Sequence, residues 1–148
     1  MLFGETKIQK MRSFERGKDH LDLEASNFST DIKFFLQSVA ANSPYLAQLI
    51  TSHANFLKEN IDRSPEEALR AARDTSEPLG LNLRRSKART ALILALCDLA
   101  GIRDLEWVTG QLTEFADYSV ETVLRHSLHQ IRDKLPKNAL KDLSLIHI

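Results

Sequence analysis

Ten consecutive residues, Ala91–Ala100, constrain the fold of this chain more than any other segment. They read ALILALCDLA, so Asp98 is the only charged side chain among them. A helix with apolar residues on all of its sides must be buried. The segment therefore predicts a central helix surrounded by other elements, in a chain of 148 residues that is long enough to form one core.

Composition indicates that the surrounding elements are also helices. Five glycines, four prolines and 7% aromatic residues are too few for the many short strands and tight turns of an all-β fold. The single cysteine, Cys97, excludes an internal disulfide, and we expect it to be a small buried thiol.

The charge balance argues against two classes of partner. Lys and Arg together number 20, as do Asp and Glu, so the net charge is +0. It gives no electrostatic reason to bind nucleic acid or an anionic membrane. No apolar run approaches the roughly 18 residues of a membrane span, and the N-terminal residues do not resemble a secretory signal. We therefore expect a cytoplasmic protein.

Start and stop signals divide the chain into about five helices, which predicts an irregular all-α bundle with a long C-terminal helix. Residues 1–25 have mixed charge and scattered apolar positions, and we interpret them as a loose arm ahead of a helical region at 26–135. Helices are predicted to begin after Ser29 and at Pro44, followed by a short turn from about Ala54 to Ile61.

Further signals mark the second half of the helical region. Ser64 and Glu67 have the spacing of a capping box, in which each residue binds the backbone N–H of the other. The central helix is predicted to end at Gly101, and Asp104 to cap a last helix of about thirty residues that ends near Pro136.

The last helix carries an apolar stripe that drifts around its surface, as a repeat slightly longer than 3.5 residues predicts. The stripe consists of Leu105, Val108, Leu112, Phe115, Ser119, Val123, Leu124, Leu128, Ile131 and Leu135. The apolar pattern then ends, and we interpret residues 136–148 as a truncated tail whose last residues are not native.

Two stretches of the chain show a recognisable family pattern. From Leu83 to Ala116 an arginine-rich helix start, LRRSKART, leads to a DLAG stop and a following helix. Upstream, NSPYLAQLITSHANFL contains a serine-proline helix start. Both stretches resemble the bifunctional adenylyltransferase and adenylyl-removing enzymes that control glutamine synthetase. In that family a histidine-proline pair breaks the upstream segment, whereas Ala54 stands here in place of the proline, which weakens the expected break at His53.

The resemblance covers roughly Asn42 to Leu135 and implies the helical N-terminal region that precedes the adenylyl-removing nucleotidyltransferase domain. It implies a parent enzyme that adenylylates glutamine synthetase with ATP and deadenylylates it by phosphorolysis, regulating nitrogen assimilation. It also implies Mg²⁺ and ATP for the intact protein, and glutamine synthetase and the PII signalling protein as partners. Within the intact protein, this region would pack on the downstream domain.

The chain lacks the residues that would perform this reaction. In the family, a glycine-serine pair and an aspartate-x-aspartate motif bind magnesium and the nucleotide, because metal ions must neutralise the charge of the phosphates. None of the five glycines here is followed by serine, and no two aspartates stand two apart. We therefore expect no catalytic residue, cofactor or metal site in this chain, which would not be an enzyme by itself.

The basic turn is the one candidate contact site. A phosphate or an acidic partner could be bound by its four cations, Arg84, Arg85, Lys87 and Arg89. The simpler alternative is a solvated face, because exposed cations are common, or a set of ion pairs with Glu66, Glu67 or Glu77. A position near the N-terminus of a helix, where the helix dipole disfavours cations, makes the cluster less ordinary.

Two other features have structural explanations. His126 and His129 stand three apart, a spacing that allows two imidazoles to share a metal, but no third ligand accompanies them. We expect an exposed pair. Trp107, at the start of the last helix, is expected to anchor the core.

Two alternatives to the family interpretation remain. The drifting stripe is compatible with a freestanding helical adaptor or dimerisation module. The basic turn is compatible with a helical nucleic-acid binder, although the neutral net charge argues against it.

Overall fold

Helices account for all the regular secondary structure in the described part of the chain. The computed structural model describes residues 28–73 and 78–134. It contains α1 (Thr30–Asn42), α2 (Pro44–Ser52), α3 (Ala54–Asn60), α4 (Pro65–Arg73), α5 (Leu79–Leu99) and α6 (Leu105–Lys134). The all-α prediction and the long last helix of 30 residues are confirmed. The turn expected at Ala54–Ile61 is the short helix α3. The predicted arm at 1–25 and tail at 136–148 lie outside the described residues.

Short polar side chains begin the helices where the sequence predicted them. Ser43 Oγ accepts a hydrogen bond from the backbone N–H of Leu46 at 3.3 Å, and Pro44 takes the first helical position of α2. The capping box is also present: Ser64 N donates to Glu67 Oε2 at 2.9 Å, and Glu67 N donates to Ser64 Oγ at 3.3 Å. Hydrogen bonds from the backbone and hydroxyl of Ser64 hold the pKa of Glu67 below its usual value.

The break between α2 and α3 persists without a proline. His53 has φ −119° and ψ 25°, outside the helical range, and it both ends α2 and precedes α3. Its backbone N–H donates to Leu49 O at 3.0 Å, and its carbonyl accepts from Leu57 N at 3.0 Å. The two helices therefore share one residue as a common cap, so replacement of the proline by Ala54 does not remove the bend.

The central helix is buried as its composition predicted. On α5, Leu92, Ile93, Leu96 and Cys97 are fully inaccessible to solvent. Helix α4 packs on α5, α1 packs on α2, and α2 also contacts α5. Burial is interrupted near the end of α5, where Leu99 remains 42% exposed. The core is thus arranged around α5. The other large side chains that are fully buried in it are Phe35, Leu36, Ile50 and Leu57.

Gly101 ends α5 in the left-handed conformation, with φ +62°. Its N–H donates to Asp98 O at 2.8 Å, and the N–H of Ile102 donates to Cys97 O at 2.9 Å. These two bonds form a Schellman motif, which satisfies carbonyls at the helix end. Ile102 then packs against the core, so the predicted glycine stop is confirmed together with its hydrophobic contact.

The chain divides into two compact units, Met1–Leu112 and Thr113–Ile148. The described part of the first unit contains the core, and Trp107 in the first turn of α6 packs against it as expected. No residue of α6 is buried. No helix in the described ranges combines the length and the apolar character needed to cross a lipid bilayer.

Candidate functional site

The four cations of the basic turn do not act as one group. Arg85 and Arg89, four residues apart on α5, line the same cavity, whereas Arg84 and Lys87 are exposed and do not line it. Residues four apart lie on the same face of a helix, while the other two positions point elsewhere. The structure therefore brings together two of the four predicted contact residues, Arg85 and Arg89.

The cavity has a volume of about 580 Å³ and lies between the α2–α3 junction and the N-terminal half of α5. This volume falls within the roughly 300–1,000 Å³ typical of small-molecule sites. None of the described residues that line it is acidic. They are Thr51, Ser52, His53, Ala54, Asn55, Phe56, Arg85 and Arg89.

The guanidinium of Arg89 lies over the ring of Phe56. The Arg89 Cζ atom lies 4.6 Å from the centroid of the Phe56 ring, a distance typical of a cation–π contact. Phe56 is buried in the core, and Arg89 is half-buried. The ring is therefore a rigid support, and it limits the orientations that this guanidinium can adopt.

His53 is placed beside the two arginines by the bend between α2 and α3. Burial lowers the pKa of His53 below its ordinary value of 6.5, because water no longer stabilises the charged ring. The positive charges of Arg89 and Arg85 lower it further. The imidazole is consequently neutral at pH 7 and offers one N–H donor and one acceptor nitrogen.

Polar side chains complete the cavity wall. The Thr51 hydroxyl donates to Ala47 O at 3.0 Å, so its oxygen remains able to accept from a ligand. Ser52 and Asn55 are exposed at the same bend and carry a hydroxyl and an amide. Guanidinium, imidazole, hydroxyl and amide groups together form a set of donors suited to an anion.

The acids proposed as partners of the basic turn have other partners. Glu66 Oε1 accepts from Arg103 at 2.7 Å, and Glu67 bonds to Ser64. Glu77 lies outside the described residues. The expected pairing of Glu66 and Glu67 with the basic turn is therefore wrong, because the loop after α5 and the cap of α4 bind these two carboxylates.

The remaining sequence candidates lie apart from the cavity lining. His126 and His129 are exposed, and each contacts a neighbour on α6: Gln130 at 2.9 Å and Arg132 at 2.9 Å. Burial raises the pKa of the Cys97 thiol to about 12, so the thiol stays protonated and unreactive at neutral pH. No group of three His, Cys, Asp or Glu side chains is placed to hold a metal within residues 28–73 and 78–134.

Sequence reasoning missed the half of the site that α2 and α3 contribute. It noted His53 as the position of a helix break and left Asn55 and Phe56 without a functional role. The four-residue spacing of Arg85 and Arg89 was a usable signal, because it separates them from Arg84 and Lys87.

Comparison with known proteins gives one consistent family. The family model described as glutamate-ammonia ligase adenylyltransferase matches residues 35–144, a range that includes the whole cavity lining. The chain is 37% identical over 114 residues to a bifunctional glutamine synthetase adenylyltransferase/adenylyl-removing enzyme of Rhodopseudomonas palustris strain CGA009, covering 70% of this chain and 12% of that protein.

Other relatives have the same name. The chain is 35% identical over 106 residues to the protein of Bradyrhizobium diazoefficiens, which covers 64% of this chain and 11% of the relative. It is 35% identical over 104 residues to that of Caulobacter vibrioides, covering 64% of this chain and 10% of the relative. The chain thus spans about one eighth or less of the length of these relatives. No solved structure matches it.

Proposed function

This chain belongs to the glutamate-ammonia ligase adenylyltransferase family, and from that membership we propose that it is a helical segment of an enzyme that regulates glutamine synthetase. The intact enzyme would transfer AMP from ATP to glutamine synthetase and remove it by phosphorolysis, in the control of nitrogen assimilation. The observation that carries the proposal is the family match over residues 35–144.

The role proposed for this segment is to support and position other parts of the enzyme. Mg²⁺, which the family implies, does not fit the described lining of the cavity. Magnesium takes oxygen ligands and usually one or two carboxylates, whereas the lining of the cavity is basic or neutral. The sequence also lacks the glycine-serine and aspartate-x-aspartate motifs. We therefore assign the nucleotidyl transfer to a domain encoded elsewhere in the same gene.

One apolar face of α6, formed by Leu124, Leu128 and Ile131, is the proposed contact with the rest of the enzyme. Leu124, Leu128 and Ile131 are 51%, 50% and 54% exposed. A contiguous apolar surface of this kind is characteristic of an interface. We propose that it packs on the downstream adenylyl-removing domain. Glutamine synthetase and PII would then be partners of the assembled enzyme, which we place in the cytoplasm, a compartment suited to a lone, buried thiol.

The gene itself provides the first test. Reading the genomic sequence beyond codon 148 should reveal, in frame, a glycine-serine pair followed by an aspartate-x-aspartate motif. An authentic stop codon at that position, with no such motif downstream, would contradict the proposal.

The second test measures activity of the intact enzyme. Leu124→Gln combined with Leu128→Gln should slow AMP removal from glutamine synthetase severalfold, because the helix would no longer hold the adenylyl-removing domain. Leu105→Gln is the matched control, since it makes the same change at another exposed leucine of α6. Equal rates for the double variant and the unmodified enzyme would argue for the alternative of a freestanding adaptor.

A further inference from the structure

A strip of charged side chains on α6 changes sign along the helix. The strip is formed by Asp117, Glu121, Arg125 and Arg132, all of which are exposed. The first three are four residues apart, and Arg132 follows Arg125 by seven residues, so all four share one side of the helix. The charged strip is therefore acidic in its first half and basic in its second half.

The charged strip borders the apolar face of α6. Val120, which is 67% exposed, extends the face formed by Leu124, Leu128 and Ile131. At about 100° of rotation per residue, the apolar face and the charged strip are centred roughly 70° apart around the helix. Both lie within the second compact unit of the chain. A surface that packs on the apolar face thus meets the charged strip along one edge.

The order of charges in the strip is complementary to itself. Two identical helices that pack in opposite directions are related by a two-fold axis perpendicular to both, which gives a closed dimer. This axis keeps the strips of the two copies on the same side of the interface and reverses one of them, so acid faces base. Parallel packing would place the strips on opposite sides of the interface. The charges therefore favour one occupant of the face, a second copy of this chain in the antiparallel orientation.

A two-fold axis at Leu124 gives a register in which the apolar side chains meet. It places each residue before position 124 level with the residue equally far after it in the second copy. Leu124 is then level with its own counterpart, and Val120 is level with Leu128 of the second copy. These three side chains are 51%, 67% and 50% exposed. The register thus removes apolar surface from water along the centre of the interface.

The same register brings opposite charges together. Asp117 lies one residue from the level of Arg132 of the second copy, and Glu121 lies two residues from the level of Arg125. At a rise of about 1.5 Å per residue, these offsets are about 1.5 and 3 Å, less than the length of an arginine side chain. Glu121 also accepts from Arg125 of its own helix at 2.6 Å, but a carboxylate has acceptor sites for a second donor.

From the apolar face and the charged strip we infer that α6 is the interface of an antiparallel homodimer of this chain, with its two-fold axis at Leu124. The inference goes beyond the proposed function and concerns the 148-residue chain. In the intact enzyme, the downstream domain and a second copy would compete for the same apolar face. The activity test above uses the intact enzyme, so either proposal can fail without the other.

Sedimentation equilibrium of the whole 148-residue chain is the direct test. We expect a reversible equilibrium between monomer and dimer, which weakens as the salt concentration rises because salt screens exposed charges. A chain that stays monomeric at all concentrations, or that forms larger assemblies without a dimer, would overturn the inference.

Charge reversal in the strip provides matched variants. Asp117→Lys with Glu121→Lys makes the strip wholly basic, and Arg125→Glu with Arg132→Glu makes it wholly acidic. Each double variant should dimerise at least tenfold more weakly than the unmodified chain, because like charges then face each other. An equal mixture of the two should recover dimers, and so should the chain with all four substitutions, whose strip again changes sign. Dimerisation that ignores these changes, or a loss that neither combination recovers, would contradict the role of the strip.

Disulfide cross-linking tests the orientation of the two helices. Val120→Cys and Leu128→Cys are made as separate single variants, and the native Cys97 is buried and unreactive at neutral pH. In the antiparallel register, a mixture of the two variants should form linked dimers severalfold faster in air than either variant alone. Faster linking within each single variant would indicate a parallel pair and would overturn the inference.

Discussion

At the scale of single residues, the hydroxyl of Thr90 is a destabilising feature inside the central helix. Thr90 is 2% exposed, and its Oγ1 atom is buried without a hydrogen-bond partner. A buried donor that makes no bond costs about 1–3 kcal/mol. Thr90→Val replaces the hydroxyl by a methyl group of similar size and should raise the free energy of unfolding by about 1 kcal/mol.

Urea denaturation measures this change in the free energy of unfolding. Thr90→Ser is the comparison variant for Thr90→Val. The serine variant keeps the hydroxyl and loses the buried methyl group, so it should lower the free energy of unfolding by about 1 kcal/mol. A valine variant that is less stable than the unmodified chain would show that the hydroxyl makes a stabilising bond.

The ion pair between Glu66 and Arg103 predicts a specific dependence of stability on pH. The hydrogen bond that Glu66 accepts from Arg103 is the largest of the effects that lower the pKa of Glu66 below 4.5. Because the folded pKa lies below the unfolded one, the pair stabilises the fold above pH 4.5. That contribution is lost as the pH falls through the lowered pKa.

A double-mutant cycle with Glu66→Gln and Arg103→Gln tests this dependence. At pH 7 the coupling energy should be favourable and within the range of about 0–1 kcal/mol that exposed pairs show. The coupling energy should decrease as the pH falls below 4.5 and vanish once the carboxyl is protonated. A coupling energy that does not change with pH would assign it to packing instead, for example to Arg103 lying over the Trp107 ring at 5.3 Å.

At the scale of the elements, substitution by alanine should have opposite effects on stability at two glycines. Gly101 has φ +62° after α5, a conformation that costs an L-residue about 1–2 kcal/mol. Gly110 lies inside α6, and a Cβ atom there would meet nothing within 4 Å. Gly101→Ala should therefore destabilise the fold by about 1 kcal/mol, whereas Gly110→Ala should stabilise it by about 0.5–1 kcal/mol.

Thermal unfolding of both variants tests these two predictions. Gly110→Ala is the control, because any replacement of glycine reduces the conformational entropy of the unfolded chain. A Gly101→Ala variant that is as stable as the unmodified chain would mean that the end of α5 can adopt a different cap. It would also argue against the Schellman motif as a fixed boundary.

The helix ends could be predicted from sequence because each depends on a few consecutive residues. Ser64 and Glu67 are three apart, and their reciprocal hydrogen bonds need nothing from the rest of the chain. The cavity could not be predicted in this way. It requires the bend at His53 to face α5, and that contact depends on how the side chains of α2 and α5 pack. The same limit applies to the basic turn, whose four cations are close in sequence although only Arg85 and Arg89 line the cavity.

The bend at His53 shows how local signals and packing combine. The resemblance predicts a proline at the position of Ala54, yet His53 leaves the helical conformation without one. Buried side chains on both sides, Ile50 before the bend and Phe56 after it, are directed into the same core. Their burial favours the bend over a continuous helix, in which they could not both keep these positions. Tertiary packing thus replaces the local signal.

At the scale of the whole molecule, the chain presents more apolar surface on α6 than a self-sufficient fold needs. Leu124 and Leu128 are 51% and 50% exposed, although they are spaced to share a face with Val120 and Ile131. Apolar surface in contact with water favours association or covering by another surface. We therefore expect the isolated chain to bind a hydrophobic dye and to associate at high concentration.

Substitutions on this face should reduce the self-association of the chain without changing the stability of the core. Leu124→Gln combined with Leu128→Gln should lower dye fluorescence at least twofold and shift sedimentation towards the monomer. The free energy of unfolding should change by less than about 0.5 kcal/mol per site, because exposed positions contribute little to it. Leu105→Gln, at a leucine that is 70% exposed in the first turn of α6, makes the same chemical change and should leave both readouts unchanged. A monomeric chain that binds no dye before any substitution would show that this face needs no partner, and the proposed contact with a downstream domain would then lose its physical basis.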